Sequence, residues 1–277
     1  MPETKPQIHA TMLETANKCG WQFVYRYGAR FGIWPEEEIR PPSIAIAVGS
    51  SVHKSIAENL QYKIDFGSMI PVSQARQIAV DEFKRIKSHE GLYVTSAQSV
   101  LLNKSVGEGI DVCSDLSALH RQQLAPSLKP TAVEEKFVVQ LKNYPFDLAG
   151  TIDVIESKSI RDTKTAGQKP TNDHAKTVQN AIYSYSILIS KGFIPDRVTN
   201  DFLIKTKVRQ LISIPDTPNN EWFQRMFSRF DALAGLITAA QKGDNYFQPA
   251  SADPSSWVCT ARFCGYHNRC KYWSGRK

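Results

Sequence analysis

The chain is poor in cysteine, with five in 277 residues. That is too few for a disulfide scaffold, so a buried core must hold the fold. Long apolar runs are also missing. The longest, such as Ile44–Val48, are far too short to span a bilayer. The opening stretch MPETKPQIHATMLE lacks the apolar segment of a secretory signal. No internal repeat, low-complexity tract or helicase motif is present. These absences lead to the expectation of a soluble, intracellular, cytoplasmic protein without a membrane partner.

What is present is the composition of a folded domain: 42% hydrophobic and 22% charged residues. The length allows one large domain with a helical lobe. Lys and Arg number 34 against 27 Asp and Glu, a net charge of +7. A basic surface of that kind favours a polyanionic partner such as nucleic acid.

The most informative stretch is FDLAGTIDVIESKSIRDTKTA, from Phe146 to Ala166. Leu148, Ile152, Val154 and Ile155 predict a strand, Glu156–Ser159 a turn, and the remainder a second strand. Asp162 and Lys164 are two apart, so they share a face, and the neighbouring strand can bring Asp153 to it. Two carboxylates and an ammonium together suit a hard divalent cation and an activated water. A D-x-K tripeptide alone is common by chance, and on its own reads better as a surface ion pair, with Asp153 capping a turn.

Around this stretch the periodicity predicts helices over Ala10–Tyr27, Val72–Ser88 and Ser96–Leu124, the last interrupted near Gly107–Gly109. A helix opening at Gly49–His53, with Ser50 or Ser51 as N-cap, follows the loop Pro35–Pro42. Ala132–Leu141 reads as a strand that pairs with the central stretch. Beyond it come a helix from Asp173 to Lys191, strands Val198–Lys205 and Val208–Ile214, and a helix Asn220–Gln241. Phe223, Phe227, Phe230, Leu233, Leu236 and Ile237 are the expected buried side of that last helix. Gln179 and Tyr183 are four apart and share a helical face. Cys113 reads as a structural thiol. Lys169, Lys176, Lys205, Lys207 and Arg209 are candidates to follow a phosphate backbone.

The tail holds Cys259, Cys264 and Cys270, spaced C-x4-C-x5-C. Such clustering points to a metal rather than to disulfides. Zinc could take these three with His267. A [4Fe–4S] cluster needs four thiolates, and Cys19 could be the fourth.

The order of these features resembles the PD-(D/E)xK nuclease superfamily, and within it the RecB-like, CRISPR-associated exonuclease-like branch. The matching pieces are Cys19, Gly49 to His53 (G-x-x-x-H), G-T-I-D ending at Asp153, D-T-K-T from Asp162, Gln179 to Tyr183 (Q-x-x-x-Y) and the three tail cysteines. The resemblance implies a restriction-endonuclease-like α/β core, a mixed central sheet flanked by helices. It implies one RecB-like domain over 1–277, with a helical lobe over 1–130, a catalytic sheet core over 131–215, and a helix and cysteine tail over 216–277. It implies a Mg²⁺- or Mn²⁺-dependent deoxyribonuclease, more an exonuclease than an endonuclease, acting on single strands or duplex ends in recombination, repair, phage or CRISPR-adaptation processing. His53, Asp153, Asp162 and the Thr163 carbonyl would hold metal, and Glu134, in a V-E-x-x-F context, would assist. Lys164, Gln179 and Tyr183 would complete the catalytic set. Cys19, Cys259, Cys264 and Cys270 would hold an iron–sulfur cluster, although the commoner tail has two residues between its first two cysteines rather than four. The alternatives are a non-catalytic nucleic-acid-binding Fe–S or zinc module and a structure-specific endonuclease.

Overall fold

The computed structural model of the chain describes residues 5–36, 41–94, 99, 101–170, 177–242, 256–260, 264–266 and 270. A short strand β1 (Gln7–Ile8) leads into helices α1 (Ala10–Lys18) and α2 (Gly20–Tyr27). The single helix predicted here is broken at Cys19, whose φ of −162° and ψ of 116° are extended. Its N–H donates to the Thr15 carbonyl and its own carbonyl accepts the Phe23 N–H. Cys19 therefore ends one helix and starts the next, and its thiol sits at a corner.

Helix α3 (Ile44–Phe66) begins earlier than its sequence reading. The N-cap is Ser43, whose Oγ accepts the Ile46 N–H at 3.3 Å. Ser51 lies inside the helix and donates to the Ala47 carbonyl at 2.7 Å. The buried stripe that drives the helix already starts at Ile44, Ala47 and Val48. Helices α4 (Val72–His89) and α5 (Leu102–Leu119) follow, and α5 runs on into a π-helical turn, His120–Leu124. Gly107 and Gly109 do not interrupt α5. Gly109 instead permits close packing, since a Cβ there would lie 3.0 Å from Phe83 Cζ and 3.1 Å from Ile44 Cγ2. Residues 96–98, where that helix was expected to begin, lie outside the described residues.

The rest is β2 (Pro130–Val139), β3 (Asp147–Glu156), β4 (Ser159–Ala166), α6 (Thr177–Lys191), β5 (Arg197–Ile204), β6 (Gln210–Asp216) and α7 (Asn220–Gln241). The sheet order is β1-β3-β4-β5-β6, with β2 also paired to β3. Antiparallel β3 and β4 form a hairpin, whereas β4 and β5 are parallel. A parallel pair needs a crossover, and α6 supplies it. The result is the mixed sheet with flanking helices that the sequence predicts.

The chain divides into two compact units. The first comprises Met1–Ile39, Phe137–Gly150 and Asn220–Lys277. Phe23, Phe146 and Phe230 are fully buried in it, and the Phe146 and Phe230 rings meet edge to face at 5.9 Å. Each such side chain contributes about 1.5–3 kcal/mol by leaving water. Along α7 the buried ridge is Trp222, Met226, Phe230, Leu233 and Ile237. Phe223, Phe227 and Leu236 are only half-buried, because the helix is turned to lead with Trp222 and Met226. Phe137 covers Gly150 so closely that a Cβ there would lie 2.6 Å from Phe137 Cζ.

The second unit comprises Arg40–Lys136 and Thr151–Asn219. Val52, Ile56 and Leu60 of α3, Phe83 of α4 and Leu116 of α5 share one core with Val154 and Leu203 of the sheet. Arg161 of β4 and Asp201 of β5 form a buried two-pronged pair, both contacts at 2.8 Å, and Ser213 of β6 donates to the same carboxylate. This network fixes the register of the strands that carry the residues described next.

Candidate active site

The β3–β4 register pairs Val154 with Arg161. One step further along the hairpin, Asp153 comes opposite Asp162, so the two carboxylates share a face. Oδ2 of Asp153 accepts the Thr163 N–H at 2.7 Å. From α3, His53 places Nδ1 3.4 Å from the same oxygen. From β2, Glu134 completes a group: candidate ligand atoms of His53, Glu134 and Asp153 lie within 4.8 Å of one another. Glu134 has φ of 51°, the positive value otherwise taken only by glycine among the described residues. A left-handed non-glycine residue within a strand carries strain.

Asp162 is buried. Its Oδ1 accepts Lys164 Nζ at 2.8 Å and Gln179 Nε2 at 3.0 Å. Its Oδ2 is buried with no hydrogen-bond partner among the described residues. Gln179 Nε2 also donates to Tyr183 Oη at 2.6 Å, so the i, i+4 pair on α6 reaches the site as one unit. Burial pushes the Asp153 and Asp162 carboxyls above the usual carboxylate range, against the pull of His53 and Lys164. Partial burial of its carboxyl end does the same to Glu134. Burial, reinforced by the Asp162 and Asp153 charges, holds the Tyr183 phenol well above its ordinary value. That tyrosine is a hydrogen-bond donor at any physiological pH.

Chemically, this set fits a hard cation. Carboxylate oxygens and one imidazole converge, and Asp162 Oδ2 is an acceptor with nothing to accept. The cavity over the site encloses about 800 Å³. One wall is a ridge of α3 with period four: Ala45, Gly49, His53 and Ala57. A helix opening at Gly49 contains Gly49, His53 and Ala57 but leaves Ala45 out of this wall. The signal was present in the small residues four apart on either side of His53.

Of the basic candidates, Lys205 lines the cavity. Lys169 and Lys207 are exposed. Arg209 is occupied within its own loop, with Nη1 donating to the Lys205 and Thr206 carbonyls at 3.0 and 2.6 Å. Lys176 lies outside the described residues.

The cysteines belong to the first unit, except Cys113. Cys113 is buried on α5, and burial pushes its thiol up to about 12, as suits a structural thiol. None of the five is in a disulfide. Cys264 packs with Tyr25 and Tyr266, flanked by Trp21 and Trp34. Cys259 closes the 3-10 turn Trp257–Cys259, and Cys270 is half-buried. Among the described residues, Cys259, Cys264 and Cys270 do not form a convergent group like that of His53. His267 lies outside the described residues.

No curated protein matches the chain by sequence. Among solved structures, a crystal structure of a protein named "putative exonuclease" from Eubacterium rectale matches with a TM-score of 0.55 at 11% identity, over 98% of this chain and 88% of that one. The structure named SSO0001 matches with a TM-score of 0.35 at 9% identity over the same shares. The first likeness concerns the fold, and agrees with a restriction-endonuclease-like core. The family model of the PD-(D/E)XK nuclease superfamily matches residues 7–271, almost the full length, and the chain belongs to that superfamily.

Proposed function

We propose that the protein is a Mg²⁺- or Mn²⁺-dependent DNA exonuclease of the RecB-like branch. The observation that carries this reading is the convergence of His53, Glu134 and Asp153 beside an Asp162 with one unpartnered buried oxygen. His53, Asp153, Asp162 and the Thr163 carbonyl would hold the cation, with Glu134 as accessory ligand. The Thr163 N–H already faces Asp153, and the carbonyl of a strand residue points the same way as its N–H. When bound, such a cation lowers the pKa of a water and offsets charge on the reacting phosphate. Lys164, held against Asp162, would orient the attacking water or meet developing negative charge. Gln179 holds Asp162 in place, and the Tyr183 phenol stays protonated beside it as a donor toward a phosphate oxygen.

The RecB-like assignment rests on the order of the motifs, and the exonuclease mode draws support from the name of the Eubacterium rectale protein. Cys19, Cys259, Cys264 and Cys270 would carry a [4Fe–4S] cluster, with zinc on Cys259, Cys264, His267 and Cys270 as the competing occupant. The clustered spacing of the tail cysteines, none of them in a disulfide, and the aromatic surroundings of Cys264 support the proposal. A cytoplasmic role in DNA recombination, repair or phage and CRISPR-adaptation processing follows from the same resemblance. Digestion of end-labelled linear DNA against closed circular DNA, with Mg²⁺ or Mn²⁺, tests the reading. Cleavage of linear DNA alone supports an exonuclease, and cleavage of neither form by protein that binds Mn²⁺ refutes it.

A further inference from the structure

The cavity over the active site is lined by both acids and bases, and most of them are already paired. Lys164 is held by Asp162 at 2.8 Å. Lys54 reaches Glu58 at 3.1 Å. Glu82 is gripped by Arg85 through two contacts at 2.8 Å. Lys205 differs: among the described residues, no carboxylate forms an ion pair with it. Its place is fixed nevertheless. It follows β5 directly, and its N–H donates to the Ala166 carbonyl at 2.7 Å, extending the parallel β4–β5 ladder by one residue. Arg209 grips its carbonyl and that of Thr206, and Thr206 Oγ1 donates to the Val208 carbonyl. Lys205 thus stands at the carboxyl ends of two parallel strands, the end at which open sheets bind ligands. Burial alone lowers its pKa, with no nearby acid to raise it.

A half-buried ammonium on a rigid base, facing a cavity and lacking a carboxylate, wants an anion. The anion that a nuclease site brings, besides the phosphate under attack, is the next phosphate of the same strand. We infer that Lys205 forms a second phosphate subsite, which holds a neighbouring phosphate of the nucleic acid and so sets which linkage lies over Asp153 and Asp162. This subsite rests on the nuclease reading above. A lysine suits the task as a compact point charge with three donors, and it reads charge rather than base.

The test is a cycle between Lys205→Gln and substrates in which a single phosphate flanking the scissile one is a neutral methylphosphonate. Binding is measured with Ca²⁺ and cleavage with Mn²⁺, on 5′-phosphorylated and 5′-hydroxyl oligonucleotides. The wild type should lose about tenfold in affinity on one of the neutral substrates, whereas Lys205→Gln should bind the neutral and charged forms alike. The variant's dependence of log K on log salt should be shallower by about one. A loss on the methylphosphonate with both end types identifies a chain phosphate, whereas a loss on exchanging 5′-phosphate for 5′-hydroxyl that Lys205→Gln abolishes identifies a terminal one. If Lys205→Gln, folded as the wild type by circular dichroism, is as sensitive as the wild type to the methylphosphonate and keeps its salt slope, the subsite is overturned. That outcome leaves the nuclease reading intact when the wild type cleaves. Failure of the wild type to cleave any substrate would instead indict the nuclease reading itself.

Discussion

Lys164 holds only one oxygen of Asp162. The ammonium lies 2.8 Å from Oδ1, Gln179 takes the same oxygen, and Oδ2 is left buried without a partner. The ammonium and the amide orient the carboxylate, and the other oxygen is what a cation would use. Orientation and ligation are therefore divided between the two oxygens of one side chain.

Asp162→Asn should lower the cleavage rate by about a thousandfold or more while leaving DNA affinity in Ca²⁺ largely intact. The amide keeps the shape and loses the anionic ligand. EDTA should have the same effect on the wild type, reversed by added Mn²⁺. Lys164→Ala should slow cleavage without changing Mn²⁺ affinity, because an ammonium cannot ligate a cation. A Mn²⁺ titration of both variants separates the two roles.

Stability should fall in acid because of His120. It is fully buried at the start of the π-helical turn, and burial, assisted by the charges of Arg161 and His53, lowers its pKa from 6.5 to about 3. Between those values the unfolded chain binds a proton that the folded chain refuses. The full contribution is present above pH 6.5, and it is lost by up to ~1.4 kcal/mol per pH unit as pH falls from 6.5 toward 3. Urea unfolding at pH 7.5 and pH 5 measures the slope, and His120→Leu should flatten it.

Cys19→Ala should bleach visible absorbance and destabilise the protein if a [4Fe–4S] cluster joins the chain ends. Metal binding becomes folding free energy when no site exists in the unfolded chain. With zinc, the protein would be colourless, Cys19→Ala mild and His267→Ala severe. Anaerobic purification with iron and zinc assays distinguishes the two.

Gly150→Ala should cost about 1–3 kcal/mol, since the added methyl meets the Phe137 ring. Phe137→Leu in the same chain should recover much of that loss. Thermal melts of the two single variants and the double variant give the coupling.

Much of this was legible because strands display their chemistry at a period of two. Asp162 and Lys164 fall on one face in any register, and the Glu156–Ser159 turn sets the register that brings Asp153 to that face. Helix boundaries were harder. Ser43 and Ser50 are both plausible caps by residue type, and only the packing of Ile44, Ala47 and Val48 decides between them. The break at Cys19 has Gly20 directly after it, but an isolated glycine inside an otherwise helical pattern is a weak signal, and the apolar residues continue on both sides. On α7, an apolar stripe wide enough for two ridges left its rotation to tertiary contacts, so Trp222 and Met226 displaced Phe223 and Phe227.

Glu134 sits in a backbone conformation that glycine adopts freely and other residues adopt at a cost of about 1–3 kcal/mol. Replacing it with glycine would make the strand easier to fold and remove a carboxylate from the group around His53. If Glu134 serves the site as proposed, selection for a sturdier protein and selection for a working one pull in opposite directions at this single position. A screen that rewards heat resistance alone would then be drawn to Glu134→Gly, and would trade the proposed accessory ligand for stability.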